Sequence, residues 1–160
     1  MPQFTLRKAQ PGEAGLVLYF IKKLAEYEKM LDQVTATEEI LHRSLFEKHA
    51  ANAMIAEEDG KPVGFALYFF NFSTFLGKPG LYIEDVFILP EYRGKGYGTQ
   101  IFRQLANEAL QEGCGRMEWI CLDWNEPSLR FYRNMGAIPM DEWTVQRLTE
   151  ETLRKVAAGE

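Results

Sequence analysis

Length, composition and charge place this sequence among ordinary globular proteins. Its 160 residues are 46% hydrophobic and 26% charged, which supplies one folded core and argues against a disordered chain. A net charge of -5 argues against a nucleic-acid-binding protein, which needs a basic surface to neutralise phosphates, but is compatible with a small cationic substrate.

The first third of the chain predicts one strand followed by two helices. Phe4 to Arg7 has the pattern of a strand, and the segment 11–13 then opens an amphipathic helix whose apolar residues recur at helical spacing as far as Leu31. Thr37 is a good N-cap, and the two glutamates behind it favour the positive end of a helix dipole. A second helix is therefore predicted from Thr37 to about His49.

The middle of the chain predicts three strands. Met54 to Glu58 and Lys61 to Phe70 are apolar runs on either side of Asp59-Gly60, which is a strong signal for a tight hairpin turn. Leu81 to Leu89 is a further strand, apolar except for two adjacent carboxylates, and a proline ends it.

The last third mixes helices and strands. A helix is predicted from Gly98 to about Gln111, a strand over Arg116 to Leu122, and a short helix over Glu126 to Met135. Two further strands are predicted between Ala137 and Leu148, and a last short helix follows Thr149. This order predicts a single domain over residues 1–160, of the α/β (α+β) class, with a mixed central sheet flanked by helices.

A glycine-rich loop between a buried strand and a helix carries the main functional signal. It has glycines at alternate positions, with basic residues before and between them: Arg93, Gly94, Lys95, Gly96, Tyr97, Gly98 and Thr99. Glycines let backbone amides converge without side chains in the way, and the following helix N-terminus favours an anion. The spacing matches neither the dinucleotide fingerprint nor the Walker loop, so we predict a different pyrophosphate site.

Other chemistries have weaker support. The two cysteines, Cys114 and Cys121, match neither a disulfide framework nor a common zinc spacing, so we predict reduced thiols in a cytoplasmic protein. His42 and His49 lack a carboxylate at ligand spacing, so we predict no metal. Ser128 lacks the nucleophile-elbow context of a hydrolase. No apolar run is as long as a membrane span, so we expect no membrane partner.

The loop resembles the acetyl-coenzyme A loop of the GNAT acetyltransferase superfamily, and the order of elements resembles that family along the whole chain. The resemblance implies that acetyl-CoA is the cosubstrate and that its pyrophosphate lies on the loop. It also implies that the backbone of Val86, Phe87 and Ile88 holds the pantetheine arm. No metal is expected in this chemistry.

A second segment, 124–137, resembles the Asn-x-x-Ser, Phe-Tyr and Gly-Ala pattern of the same superfamily. Asn125 and Tyr132 are seven residues apart with Ser128 between them, so a helix would present all three near one face. The resemblance implies that this face, with Pro127, contacts the coenzyme. Taken singly, Asn125 is also a plausible N-cap and Tyr132 a plausible core aromatic.

The resemblance is closer to the spermidine/spermine and thialysine acetyltransferases, in four segments: residues 24–28, 63–68, 81–85 and 124–128. It implies that Tyr27, Glu28 and Glu84 face the amine. The chain departs from that family around Glu118 and Trp119, which belong to another amine-lining segment. We keep these two as candidate substrate contacts.

The resemblance and general chemistry together give a mechanism. An alkyl ammonium has a pKa of about 10.4 and must lose its proton before it attacks the thioester. Adjacent strand residues point to opposite faces, so only one of Glu84 and Asp85 should face the site, and we favour Glu84, desolvated by its apolar strand, as the base. The Phe87 amide is a candidate oxyanion donor, and Tyr132 a candidate proton donor to the departing thiolate.

Three readings remain open from the sequence. The first is an N-acetyltransferase for a small cationic amine, such as a polyamine or a lysine-like amino acid. The second acts on a protein lysine or N-terminus, and the third is a coenzyme A-binding sensor without activity. Because relatives are commonly homodimers, we also expect a homodimer, with the apolar segment around Trp143 and Val145 as a candidate interface.

Overall fold

A computed structural model describes residues 1–160, which form two compact units: 1–120 and 121–160. The first unit contains the whole sheet and three helices, and the second contains two helices. The sequence prediction of one domain over residues 1–160 stays a prediction. No helix of the structure is both long and apolar enough to span a bilayer.

A mixed five-stranded sheet with the order β1-β2-β3-β4-β5 forms the first unit. Neighbouring strands from β1 to β4 are antiparallel, and β4 pairs with β5 in parallel across an intervening helix. The strands are β1 Phe4–Lys8, β2 Asn52–Glu58, β3 Lys61–Ser73, β4 Lys78–Ile88 and β5 Met117–Glu118. The predicted mixed sheet is therefore confirmed.

The β2–β3 turn has the two-residue form that its sequence predicts. Glu58 pairs with Lys61, and Asp59 and Gly60 between them have φ angles of 50° and 81°. Positive φ at both central residues is the geometry whose twist matches a hairpin, and Asp-Gly adopts it at low cost.

Five helices surround or follow the sheet: α1 Ala14–Tyr27, α2 Glu38–His42, α3 Tyr97–Gln111, α4 Glu126–Asn134 and α5 Glu150–Ala157. The first is shorter than predicted, because Lys29 adopts a left-handed φ of 61° and the Met30 amide bonds back to the Ala25 carbonyl. Leu31 starts a separate short turn. The second begins at its predicted Thr37 cap and continues as a π-helical turn over Arg43–Glu47.

Both faces of the sheet are covered by helices. Leu67 packs in a buried cluster with Val17 and Phe20 of α1. The next residue, Tyr68, is also buried, and its hydroxyl donates to Glu108 of α3 at 3.0 Å. Since successive strand residues point to opposite faces, α1 and α3 lie on opposite sides of the sheet.

Of the three strands predicted near the C-terminus, one is much shorter than predicted and two are wrong. The strand predicted over Arg116–Leu122 is reduced to the two residues of β5, and no strand forms between Ala137 and Leu148. An extended apolar segment becomes a strand only where a second strand satisfies its backbone, and the 137–148 segment has no such partner. Trp143 and Val145 in this segment are 75% and 65% exposed.

Candidate active site

A β-bulge in the middle of β4 shapes the region where the sequence places its two adjacent carboxylates. On β3, Leu67 and Tyr68 are consecutive, but their partners on β4 are Asp85 and Ile83. Glu84 is therefore the extra residue of the bulge. Bulges re-aim side chains and break the strict alternation on which our sequence argument about this pair depends.

Asp85, rather than Glu84, is the desolvated carboxylate. It lies opposite Leu67 and two residues before the buried Phe87, on the face of the sheet that α1 covers. Burial first, and the negative charges of Glu84 and Glu28 next, together raise its pKa from an ordinary 3.8 to about 7. Asp85 is therefore a group that can take up or release a proton near neutral pH.

The prediction that Glu84 is desolvated is wrong, because its side chain is exposed. The bulge turns it out of the apolar strand. The charge of Glu84 still acts on Tyr82. The pKa of Tyr82 is raised mainly by burial and, to a smaller extent, by the negative charges of Glu84 and Glu118. Glu84 thus lies at the rim of the site, with Asp85 inside it.

The end of α1 brings two further predicted residues to the same place. Glu28 caps the C-terminus of α1, and burial raises the pKa of its carboxyl. Tyr27 precedes it, and its ring lies 4.8 Å from the guanidinium of Arg93. We call Glu28, Glu84 and Asp85 the carboxylate cluster, because the charges of Glu28 and Glu84 both act on Asp85. None of the three forms a salt bridge with a Lys, Arg or His.

The glycine loop has the open backbone that its sequence predicts. Gly94 and Gly96 have φ angles of 79° and 83°, and a Cβ added to either would meet nothing within 4 Å. Positive φ, not crowding, therefore makes glycine necessary here. The first backbone bond of α3 runs from the Gln100 amide to the Gly96 carbonyl at 3.2 Å, so the amides of the preceding turn have no acceptor within the helix.

The two basic side chains of the loop are engaged within the protein. Arg93 folds back toward β4, where its Nε donates to the Ile88 carbonyl at 2.9 Å and its guanidinium lies 5.2 Å from the Phe87 ring. Lys95 forms a 2.8 Å salt bridge with Glu58. The loop thus offers backbone amides and a helix N-terminus, with both cationic groups already partnered.

The edge of β4 next to the loop is not paired along its second half. β5 pairs with it only at Leu81 and Tyr82, while the strand continues beside β3 to Ile88. Gly64 on β3 faces this segment closely, since a Cβ there would lie 2.2 Å from the Phe87 carbonyl oxygen. The segment Val86 to Ile88 therefore has no strand partner on this edge. Apart from the Ile88 carbonyl, which accepts from Arg93, the backbone groups that point to this edge are open to an extended amide-containing ligand.

Glu118 and Trp119 are not equally placed for a role in the site. Glu118 pairs with Tyr82, acts electrostatically on it and forms a 3.3 Å salt bridge with Arg116. The Trp119 ring packs against Phe102 of α3, with 5.0 Å between ring centroids. Trp119 therefore faces the α3 side of the sheet and does not join the carboxylate cluster on the α1 side.

The predicted residues of the second segment lie on and before α4, in the second unit. Asn125 is the N-cap, buried to 7% exposure, and its side-chain oxygen accepts the Ser128 amide at 3.4 Å. Pro127 lies in the first turn, where its missing N–H has no cost. Ser128 and Tyr132 are four residues apart on the helix and both half-buried.

Sequence reasoning undervalued Asp85 and missed Glu58. The sequence does contain a signal for Asp85. Alternate residues of a strand share one face, so Asp85 is predicted to lie on the same face as the apolar Phe87 and Leu89. No such signal exists for Glu58, whose contact with Lys95 joins residues 37 positions apart. The structure contains no group of three His, Cys, Asp or Glu side chains placed to hold a metal ion.

The chain is similar to a known protein family and to several named proteins. The acetyltransferase (GNAT) family model matches residues 19–137. A thialysine N-epsilon-acetyltransferase of Bos taurus is 37% identical over 95% of this chain and 96% of its own length. Spermidine/spermine N(1)-acetyltransferase-like protein 1 of Homo sapiens is 32% identical over 98% of this chain and 24% of its own.

Among solved structures, an integron cassette protein from the mobile metagenome of V. cholerae superposes with a TM-score of 0.79 and 28% identity. The match covers 96% of this chain and 97% of that one. The residues that the family model matches, 19–137, include the glycine loop and the carboxylate cluster, and the relative from Bos taurus is named as an N-epsilon-acetyltransferase. This protein is therefore an acyltransferase and belongs to the acetyltransferase (GNAT) family.

Proposed function

We propose that the protein transfers an acetyl group from acetyl-CoA to a primary amine of a small cationic molecule. The observation that carries the proposal is the carboxylate cluster: three acidic groups without a basic partner, one of them buried with a pKa near 7. Uncompensated carboxylates at the end of a strand that leads into an anion-binding loop suit a cationic acceptor and an anionic cosubstrate.

The first unit provides a fitting place for the coenzyme. The open, positive-φ backbone at Gly94 and Gly96 leaves room for a diphosphate, and the N-terminus of α3 favours its charge. The unpaired edge of β4 suits the amide groups of a pantetheine arm. Acetyl-CoA supplies an acetyl group already activated as a thioester. Further candidate contacts are Val86, Tyr97, Gly98, Thr99, Asn125, Pro127 and Ser128.

Asp85 is the proposed proton acceptor for the amine. An ammonium group must lose its proton before it can attack, and a carboxylate with a pKa near 7 is a better base than one near 4. Glu84 at the exposed rim and Glu28 at the end of α1 would hold the cationic substrate beside it. The Phe87 amide is retained as a candidate donor to the carbonyl oxygen.

Tyr132 is the proposed proton donor to the coenzyme thiolate. A phenol with a pKa of about 10 can protonate or hydrogen-bond a thiolate whose conjugate acid has a pKa of about 8.5. We expect Tyr132→Phe to lower kcat by about a hundredfold, within the range of general acid catalysis, and to leave the Kd of coenzyme A nearly unchanged. An unchanged kcat in steady-state kinetics would remove Tyr132 from this role.

The acceptor that fits best is a small diamine or a lysine-like amino acid. The cluster can hold one cationic group while a second one reacts, and similar proteins are named for activity on thialysine and on spermidine or spermine. A panel containing polyamines, thialysine, monoamines and lysine-containing peptides should be mixed with pure protein and acetyl-CoA. Thiol release is the readout.

Each outcome of the panel selects one reading. Release with thialysine or a polyamine supports the proposal, whereas release with peptides alone would favour a protein acetyltransferase. Coenzyme binding without release across the whole panel would identify a sensor and contradict the proposal.

We further propose that two copies of the chain associate through the C-terminal segment. Large apolar side chains there are exposed in one chain: Ile138, Met140, Trp143, Val145, Leu148, Leu153 and Val156. Such a concentration of exposed apolar surface is typical of an interface.

Sedimentation of the wild type as a dimer, and of Trp143→Glu as a monomer, would support this dimer interface. Leu110→Glu, at a residue 74% exposed on α3, is the control. A monomeric wild type would contradict it.

A further inference from the structure

Three side chains tie the glycine loop to the end of β2. The Oε2 atom of Glu58 accepts two hydrogen bonds, one from the Lys95 ammonium at 2.8 Å and one from the Tyr97 hydroxyl. Glu58 is the last residue of β2, so the contact joins the loop to the tip of the β2–β3 hairpin. We call Glu58, Lys95 and Tyr97 the loop clamp.

The clamp is anchored in the core through Tyr97. This residue is only 6% exposed, and its ring stacks on Phe4 of β1 with 4.2 Å between centroids. Tyr97 is also the first residue of α3, directly after the left-handed Gly96. Holding its hydroxyl therefore fixes the point at which the loop becomes a helix, where the unpaired amides lie.

Within the loop clamp, the positive charge of Lys95 neutralises the negative charge of Glu58 beside the loop. The Glu58 side chain is 14% exposed and the Lys95 side chain 41%. A carboxylate this close to a diphosphate site would repel the ligand unless a cation neutralises it, and Lys95 is the cation in contact. The charge of Lys61 also lowers the pKa of the Glu58 carboxyl, but less than the contacts with Lys95 and Tyr97 do.

We propose that Glu58 is a positioning residue for the coenzyme diphosphate, and that Lys95 supports binding by neutralising Glu58 and not by contacting phosphate. The inference rests on the proposed use of acetyl-CoA. Glu58 holds the loop through Lys95 and Tyr97, and the backbone amides bind the ligand. This assignment gives Lys95 a different role from that of a basic residue whose charge acts on the pyrophosphate directly.

A double-mutant cycle separates the two roles of Lys95. Titration calorimetry should give the Kd of coenzyme A for the wild type, Lys95→Met, Glu58→Gln and the double variant. Lys95→Met leaves Glu58 charged and unpaired, so we expect a Kd about tenfold weaker. Glu58→Gln together with Lys95→Met removes both charges, and we expect a Kd within about threefold of the wild type.

Several results would overturn the assignment. If the double variant binds as weakly as Lys95→Met, the weakening does not come from the unpaired charge of Glu58, and the neutralising role of Lys95 is wrong. If Lys95→Met binds as the wild type does, Glu58 has no electrostatic effect on the site. A wild type without affinity for coenzyme A would overturn the proposed function as well, and so differs from both of these results.

Kinetics and a matched control distinguish positioning from general stability. Tyr97→Phe keeps the stacked ring but removes the hydroxyl, and should raise the KM for acetyl-CoA by about threefold with kcat unchanged. Glu57→Gln makes the same charge change one residue away, at a side chain that pairs with Arg7 at 3.3 Å, and should leave that KM unchanged. A fall in kcat with constant KM for Tyr97→Phe would contradict the assignment.

Discussion

The glycine loop follows the strand that carries two of the three cluster carboxylates, but charged side chains are compensated in the loop and uncompensated in the cluster. In the loop, both cationic side chains have partners: Lys95 pairs with Glu58, and Arg93 donates to the Ile88 carbonyl. In the cluster, the carboxylates of Glu28 and Asp85 are partly or largely removed from water, and neither has a basic partner.

This difference separates two ways of building a charged site. Backbone dipoles can attract an anion without burying a net charge, so the loop has little electrostatic cost in the empty protein. Uncompensated carboxylates attract a cation strongly, but they destabilise the empty protein until the cation arrives. Changes in the two regions should therefore affect different substrates, and only the cluster should carry a large dependence of stability on pH.

The largest effect is expected from Asp85→Asn. If Asp85 accepts the proton of the amine, its loss should lower kcat/KM for the amine by about a thousandfold, within the range of general base catalysis. The Kd of coenzyme A should remain the same, because the loop is unchanged. Steady-state kinetics at saturating acetyl-CoA and calorimetry measure the two quantities.

Asp123→Asn makes the same chemical change at an exposed residue outside the proposed dimer interface and is the matched control. An Asp85→Asn protein that retains kcat/KM within about threefold of the wild type would show that another group is the base. Weakened coenzyme binding in that variant would show that the two regions are not separate.

The second prediction concerns stability and pH. The folded protein holds the Asp85 proton up to a pKa of about 7, whereas the unfolded chain releases it near 3.8. The unfolded state thus binds fewer protons between these values, and the free energy of unfolding falls as pH rises through this window. The contribution is fully present below pH 3.8 and lost above about 7.

Urea unfolding at a series of pH values measures this contribution as the difference between wild type and Asp85→Asn. We expect the variant to gain on the order of 4 kcal/mol relative to the wild type between the two pKa values. Parallel curves for the two proteins would contradict the burial of an ionisable carboxyl at this position.

Sequence reasoning succeeded in the loop because the determinants are local. Positive φ at Gly94 and Gly96, like the Asp59-Gly60 turn, follows from which residues tolerate a left-handed backbone. The apolar periods of α1 and α3 similarly place their buried faces, including Val17, Phe20, Ile101 and Leu105. In each case the pattern and the structure involve the same few neighbouring residues.

The carboxylate cluster could be predicted only in part, because a distant pairing decides it. The register of β4 against β3 inserts Glu84 as an extra residue, and nothing in the sequence of β4 alone reveals that insertion. The absent strands after Ala137 have the same cause. The segment contains apolar residues such as Trp143 and Val145, but strand formation depends on a second segment that satisfies the backbone.

A third prediction tests the loop with a matched pair of glycines. Gly96→Ala places a side chain at a φ of 83°, and Gly113→Ala does the same at a φ of 74° beyond the other end of α3. Each substitution should cost about 1–2 kcal/mol of stability, since neither Cβ meets a nearby atom and strain alone acts.

Only Gly96→Ala should affect the cosubstrate. We expect its KM for acetyl-CoA to rise about tenfold, because relaxation of the strained backbone moves the amides at the start of α3. The KM for the amine should not change in either variant. Equal KM values for acetyl-CoA in both proteins would show that the loop backbone does not bind the cosubstrate.

The smallest effect is expected from Glu84→Gln, which separates the rim of the cluster from its interior. An exposed carboxylate in water contributes about 0.2–1 kcal/mol to an ion pair, which corresponds to about a threefold change in affinity. We therefore expect the KM for a diamine to rise about threefold, while kcat and the KM for a monoamine of similar length stay the same. Steady-state kinetics with the two amines at saturating acetyl-CoA measure both effects.

A loss of activity as large as that of Asp85→Asn, for both amines and in kcat, would instead make Glu84 the base and leave Asp85 as a buried structural carboxyl. Glu84 and Asp85 are neighbours in the bulge, but only Asp85 is largely withdrawn from solvent. The ratio of the activity lost in Asp85→Asn to that lost in Glu84→Gln therefore measures how far burial determines which carboxylate is the base.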